Sequence, residues 1–280
     1  MVRIITDSAA DFEAEELKRL GITLIPLIVR FGETEYQDGL DLNKQEFYEK
    51  LLSSGDFPLT SQPSPAVLEA QFADAKAAGD EAIYITISSG ISGTYQTARM
   101  ICEDADASGC YVVDSRNATG GQRQLVEYAV RLRDEGLCGA EIMEKLAAFR
   151  GRITLFACIN TLEYLYRGGR ISHTVYKIGN MAQIKPVIHV DPEGKIAIPA
   201  KAMGMRKGME TLCKYLDARK PDPAFPLYVM YTNNRAVAET LAQRLSAHGI
   251  EVPDSHIIGV GAAIGTHIGP DACGLVYVAE

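Results

Sequence analysis

No run of apolar residues in this chain approaches the roughly 18 that a membrane-spanning helix needs, so no stable membrane insertion is expected. The opening stretch, MVRIITDSAADFEAEEL, turns polar and acidic at once and lacks the longer apolar segment of an export signal, so a cytoplasmic location is expected. Lysine and arginine form no block of like charges, and the formal net charge is -8. An acidic surface repels phosphate backbones, which leaves nucleic acid outside the expected partners. It does not exclude a local basic site for a phosphorylated partner. None of the six cysteines (Cys102, Cys110, Cys138, Cys158, Cys213, Cys273) has CxxC spacing, and they read as reduced, mostly buried small hydrophobes. The five histidines show no HExxH or HxH pairing, so no zinc site is expected.

What is there describes a soluble globular protein. Apolar residues make up 47% and charged residues 23%, which excludes a disordered chain, a fibrous repeat and a coiled coil. A length of 280 residues suits two domains, expected at 1–150 and 151–280 with the boundary near Phe149–Ile153. The first part alternates strands (Val2–Thr6, Thr23–Phe31, Ala82–Ile87, Tyr111–Asp114) with helices. These include Ala14–Leu20, closed by Gly21, a helix after the Asn43/Glu46 capping box, and one opened by Ser64-Pro65 with Ser64 as its cap. That alternation predicts an α/β domain with a mainly parallel sheet and helices on both faces. The second part reads as α+β with a mixed or antiparallel sheet. Strands Ile153–Ile159 and Lys185–Val190 precede a turn at Asp191–Gly194, a return strand Lys195–Ile198, and helices near Met205–Ala218 and Ala236–Ala247. Strands Leu227–Tyr231 and Gly274–Val278 complete it.

Four loops carry the residue types of a binding or catalytic site. Thr60-Ser61-Gln62-Pro63 places two hydroxyls and an amide before a Pro-led helix. Ser88-Ser89-Gly90-Ile91-Ser92-Gly93-Thr94 joins a strand to a helix, where free N–H groups and the positive dipole end favour an anion. No GKS or GKT follows this loop, and it holds no Lys or Arg, so a singly charged anion fits it better than a triphosphate. Arg167-Gly168-Gly169-Arg170-Ile171-Ser172 sets two arginines around two glycines, and Gly265-Thr266-His267-Ile268-Gly269-Pro270 sets a histidine outside any regular helix. A Ser92–His267 pair with Asp7 or Asp114 as third member is one catalytic arrangement these residues allow, although the GxSxG elbow is absent. At this level a Ser/His esterase or phosphatase and a carboxylate-binding protein both remain open.

The ordered set Thr6-Asp7-Ser8, Thr60–Pro63, Ser88–Ala98, Asp114-Ser115, Tyr164–Ser172, Ile184-Lys185-Pro186 and Gly265–Pro270 covers nearly the whole chain and resembles the DegV family of bacterial fatty-acid-binding proteins. The resemblance implies a two-domain carrier that is not itself an enzyme and uses no cofactor. Its ligand would be one long-chain fatty acid of the palmitate, stearate or oleate class. It implies that a separate ATP-dependent fatty acid kinase is the partner, forming acyl-phosphate for phospholipid synthesis. It further implies that Thr60, Ser61, Ser92, Gly93 and His267 bind the carboxylate, while Arg170 and Arg206 face phosphate and kinase, so that replacing either arginine spares fatty-acid binding. Two positions depart from the family pattern: Arg123 and Asp271 stand where glycines are usual, which raises a different chain preference or site mouth.

Overall fold

The computed structural model describes residues 1–104, 109–179 and 183–280. Its first strands are β1 (Val2–Asp7), β2 (Ile22–Ile25), β3 (Ile28–Phe31), β4 (Thr34–Gln37), β5 (Leu59–Ser61), β6 (Glu81–Thr86) and β7 (Cys110–Asp114). Four of these form a parallel sheet in the order β2-β1-β6-β7. Their side chains alternate between two apolar layers. Ile4, Ile83 and Val113 face helices Thr119–Asp134 and Gly139–Phe149, whereas Ile5, Tyr84 and Val112 face helices Pro65–Ala77 and Thr94–Asp104. Helices therefore cover both faces, as a parallel sheet requires.

The remaining strands are β8 (Ile153–Cys158), β9 (Ile184–Val190), β10 (Ile196–Met203), β11 (Tyr228–Tyr231), β12 (Ile257–Gly259) and β13 (Cys273–Val278). They form a mixed sheet in the order β10-β9-β8-β13-β11-β12, in which only the β11–β12 pair is parallel. Helix Thr119–Asp134 lies between the two sheets and is buried on both sides. Gly120 permits this, because a Cβ there would lie 3.0 Å from the Met230 sulfur. One apolar cluster consequently contains Ile4 and Ile85 from the first sheet and Leu155, Met230 and Val276 from the second.

Three local expectations fail. The strand expected over Thr23–Phe31 is broken at Pro26, which has no N–H to give to a ladder. The next N–H, of Leu27, goes to Ser8 Oγ at 3.1 Å, and the chain turns out of the parallel sheet into a small antiparallel one, β4-β3-β5. Ser64 precedes helix Pro65–Ala77 but its side chain makes no capping hydrogen bond. His267 lies in the last turn of a short helix, Ala262–Ile268, not outside regular structure.

Arg123 has a structural role and does not line the main cavity. Its guanidinium is buried between Glu16 and Glu127 and lies 4.5 Å from the Phe12 ring and 5.1 Å from the Tyr228 ring. It joins helix Ala14–Leu20 to helix Thr119–Asp134 and to β11. Asp271 sits at φ 61, a left-handed conformation that glycine adopts freely, and accepts a hydrogen bond from Asn233 Nδ2 at 3.3 Å.

Candidate functional site

A cavity of about 410 Å³ lies between the six-stranded sheet and the loops of the first half. Its floor is the sheet face carrying Leu155, Ala157, Ile188, Val190, Met230 and Gly274, and its roof is built from Leu27, Ile87, Ala118, Ala263 and Ile264. The volume and mostly apolar lining are those of a small-molecule site.

That polar end brings together Thr60, Ser61, Gln62, Ser92, Gly93, Arg170 and His267. Thr60 is held by the pairing of β5 with Val29 on β3, and its Oγ1 lies 2.8 Å from His267 Nε2 across 207 residues of sequence. Ser92 precedes helix Thr94–Asp104; its Oγ lies 2.9 Å from Thr94 Oγ1 and accepts from Thr94 N–H at 3.3 Å. Gln62 ties the two loops together by accepting from Thr97 Oγ1 at 2.9 Å.

His267 is positioned from both ends of its helix. At the N-terminal end, Gly261 N–H donates to Asp11 Oδ1 at 2.7 Å, and Ala262 and Ala263 N–H donate to the two Asp38 oxygens at 3.0 and 3.2 Å. At the other end the ring packs against Gly168, where a Cβ would come within 2.0 Å of Nδ1. Burial, aided by the Arg170 charge, pushes the imidazole down to about 3, so the ring is neutral at ordinary pH. Among the described residues, the only cation lining the cavity is therefore Arg170. Its Nε donates to Ile91 O at 3.1 Å and its Nη1 to Gly168 O at 2.6 Å, and it has no carboxylate partner among the described residues. Burial lowers its pKa, yet a guanidinium keeps its proton.

Outside this end lies an open hollow of about 450 Å³ lined by Ser89–Gly93, Gln96, Gly169 and Arg170. Arg170 thus faces both spaces and is a wall of the cavity itself, which alters the expectation that its removal spares binding. Arg206 lines neither hollow. It begins helix Met205–Ala218, is 75% exposed and faces Glu210 at 3.9 Å.

The catalytic arrangement is not assembled. Ser92 bonds Thr94 rather than His267. Asp7 accepts from Ile87 N–H at 2.8 Å and from Gln122, and Asp114 accepts from Ser89 N–H and Oγ at 3.0 and 2.6 Å. Neither acid reaches the imidazole. The groups that sequence reading missed are Asp11, Asp38 and Gly168 in its contact with His267. The aspartates lie 250 and 224 residues from the N–H groups they hold, so no local signal exists for them.

Gly168 provides a direct test of the head-end geometry. Gly168→Ala keeps an allowed backbone conformation but drives a methyl into the imidazole. If this end holds a carboxylate, the change is expected to weaken binding of the acid by about 10-fold, the loss of one hydrogen bond to a charged group, while sparing its neutral methyl ester. Titration calorimetry with both ligands reads this, and equal losses would show a general collapse of the pocket.

A model of the DegV family, described as an uncharacterised protein family, matches residues 1–280. The chain belongs to the DegV family. A DegV domain-containing protein of Caldanaerobacter subterraneus subsp. tengcongensis is 32% identical over 277 residues, covering 99% of this chain and 98% of that protein. Among solved DegV structures, the chain resembles a fatty-acid-binding DegV protein from Thermus thermophilus with a TM-score of 0.89 at 28% identity, covering 100% of this chain and 99% of the other. It resembles a stearic acid-binding protein from Eubacterium ventriosum with a TM-score of 0.88 at 27% identity, covering 100% and 98%. The DegV fold shared by these proteins is the pairing of parallel and mixed sheets described above. Among the described residues no helix is long and apolar enough to cross a membrane.

Proposed function

We infer that the protein binds one long-chain fatty acid, with its chain in the apolar cavity and its carboxylate at Arg170, Thr60, Ser61, Ser92, Gly93 and His267. The observation that carries this reading is the pairing of an apolar cavity with one guanidinium that has no carboxylate partner among the described residues, and a neutral imidazole, at one end. Structural relatives described as binding fatty acid and stearic acid support it. The energetics agree with it. A sixteen-carbon acid has about fourteen methylenes, and at ~0.8 kcal/mol each their burial supplies on the order of 11 kcal/mol before the costs of binding. Burying the carboxylate is the opposing cost, which the arginine, the hydroxyls and the N–H groups at the helix start offset.

The open hollow gives the head group an approach from outside. A separate ATP-dependent fatty acid kinase would use it to convert the carboxylate to an acyl-phosphate for phospholipid synthesis, with the carrier making and breaking no bond itself. Arg170 is then in place to meet the phosphoryl group, and Arg206 is left as a contact on the outer surface.

Native mass spectrometry followed by lipid extraction is expected to show one long-chain fatty acid per chain. Thr60→Ala and Ser92→Ala are expected to weaken the acid by roughly 10- to 100-fold, with a smaller effect on the methyl ester. A protein that carries no fatty acid and takes up neither palmitate nor oleate, or that turns over p-nitrophenyl esters, would sink the reading.

A further inference from the structure

The floor of the cavity is a row of residues that stand directly opposite one another across four strands. Met230 pairs with Gly274, Gly274 with Ala157, and Ala157 with Ile188, and all four line the cavity. Residues in register share one face of a sheet, so the glycine and the alanine form a trough between two larger side chains. The row crosses three strand spacings, or roughly 14 Å.

Its two ends differ in surroundings. Ile188 clusters with Leu165 and with Ile171 and Ile268, the chain neighbours of Arg170 and His267. Met230 clusters with Ile258, Val260 and Val276. The helix that carries His267 leads the same way. It lines the cavity from His267 back to Ala263, and Val260, just before it, donates its N–H to Tyr231 O at 2.8 Å, next to Met230. Five helical steps from Ala262 to His267 at ~1.5 Å each, with the two extended residues before them, put Met230 on the order of 10 Å or more from the polar end.

Met230 is also unlike the rest of the lining. The other large aliphatic side chains there are branched, being Leu, Ile or Val, whereas methionine is unbranched with three rotatable bonds. It lies in space that two glycines leave open: a Cβ on Gly120 would be 3.0 Å from its sulfur, and one on Gly274 would be 3.0 Å from its terminal methyl. The sulfur accepts a hydrogen bond from Thr119 Oγ1 at 3.3 Å. Thr119 is itself a β-branched residue at φ 46, a conformation such residues rarely take and one that the surrounding structure must enforce.

We propose that Met230, seated over Gly274 and Gly120 and held by Thr119, is the chain-length gauge of the site: an adjustable stop against which the far end of the acyl chain packs. This rests on the fatty-acid reading above and adds to it the class of ligand discriminated, namely long acyl chains differing in the number of terminal methylenes. A flexible stop swings aside for one or two extra carbons, so the wild type binds neighbouring chain lengths with similar affinity.

The test measures affinities for saturated fatty acids from twelve to twenty carbons by competition with a fluorescent fatty acid, for the wild type, Met230→Ala and Met230→Ile. Met230→Ala opens the end of the cavity, and the tightest-binding chain is expected to become at least two carbons longer. The gain is about four-fold for each newly buried methylene. Met230→Ile keeps the bulk but stiffens it, so the preferred length stays and the neighbouring lengths lose about four-fold or more. Profiles for both variants that superpose on the wild type overturn the gauge, as does a preference for shorter chains in Met230→Ala. If Met230→Ala does not fold, the narrowing or its absence in Met230→Ile decides. A wild type that takes up none of the series overturns the fatty-acid reading, and the gauge falls with it.

Discussion

Arg170→Met is expected to weaken a long-chain fatty acid about 100-fold at pH 7 and to leave its methyl ester within about three-fold. The reason is that the site contains one positive charge. His267 lies at the same polar end, but burial pushes its pKa down to about 3, so it can offer a hydrogen bond and no charge. Thr60, Ser92 and the N–H groups of the Ser92–Tyr95 turn are dipoles only. Removing one partner of a buried ion pair costs about 3–5 kcal/mol. Here the cost has an upper limit, because the ligand can take up a proton instead. A carboxyl that titrates near 4 needs about 3–4 kcal/mol to be protonated at pH 7, and about 1.4 kcal/mol less for each unit the pH falls. The gap between variant and wild type should therefore narrow as the pH drops from 7 toward 5. Calorimetric titrations at three pH values with acid and ester read this directly. A variant that holds the acid as tightly as the wild type at pH 7 would remove Arg170 from the head-group site and return it to the outward role suggested by sequence.

The second large effect concerns stability. Asp11 and Asp38 are buried together against the start of the helix that carries His267. Burial raises Asp11 to about 7, against the opposing pull of Lys44, and also raises Asp38. The folded state therefore holds a proton that the unfolded chain has already lost, from about pH 4 up to about pH 7. Stability falls as the pH rises through that window, by up to about 4 kcal/mol for a three-unit difference. Asp11→Asn keeps an acceptor for the Gly261 N–H and cannot ionise. It is expected to flatten this part of the pH dependence and to be more stable than the wild type at pH 8 by about 1–3 kcal/mol. The slope that remains includes Asp38, Glu127 and Asp7, all raised by burial, Asp7 to about 6. Urea unfolding at pH 5 and pH 8 checks it. A slope as steep in Asp11→Asn as in the wild type would show that Asp11 is ionised in the folded protein throughout.

What the sequence alone determined is whatever acts within a few residues. The capping box formed by Asn43 and Glu46, the left-handed stop at Gly21 (φ 62) and the turn Asp191–Gly194 with its returning strand are each specified by their own side chains, and each is present. So is the alternation of strands and helices that leads to a parallel sheet, because a parallel pair needs a crossover between its members. The hydroxyl, glycine and histidine loops of the polar end were legible for the same reason, since their composition is unusual locally.

Tertiary structure decided where those loops meet and what each residue does there. Thr60 and His267 are in contact only because a three-residue strand and a seven-residue helix are carried together by two different sheets. Arg170 became the charge of the cavity and Arg206 an exposed helix residue, although both stand within two residues of a glycine in sequence. Pro26 divided what reads as one apolar strand between two sheets, because the missing N–H matters only against a particular neighbour. Asp11, Asp38 and Met230 gain their importance from partners more than 40 residues away. Local sequence sets propensities and caps at short range, whereas burial, pKa and the shape of a cavity depend on which distant surfaces pack together.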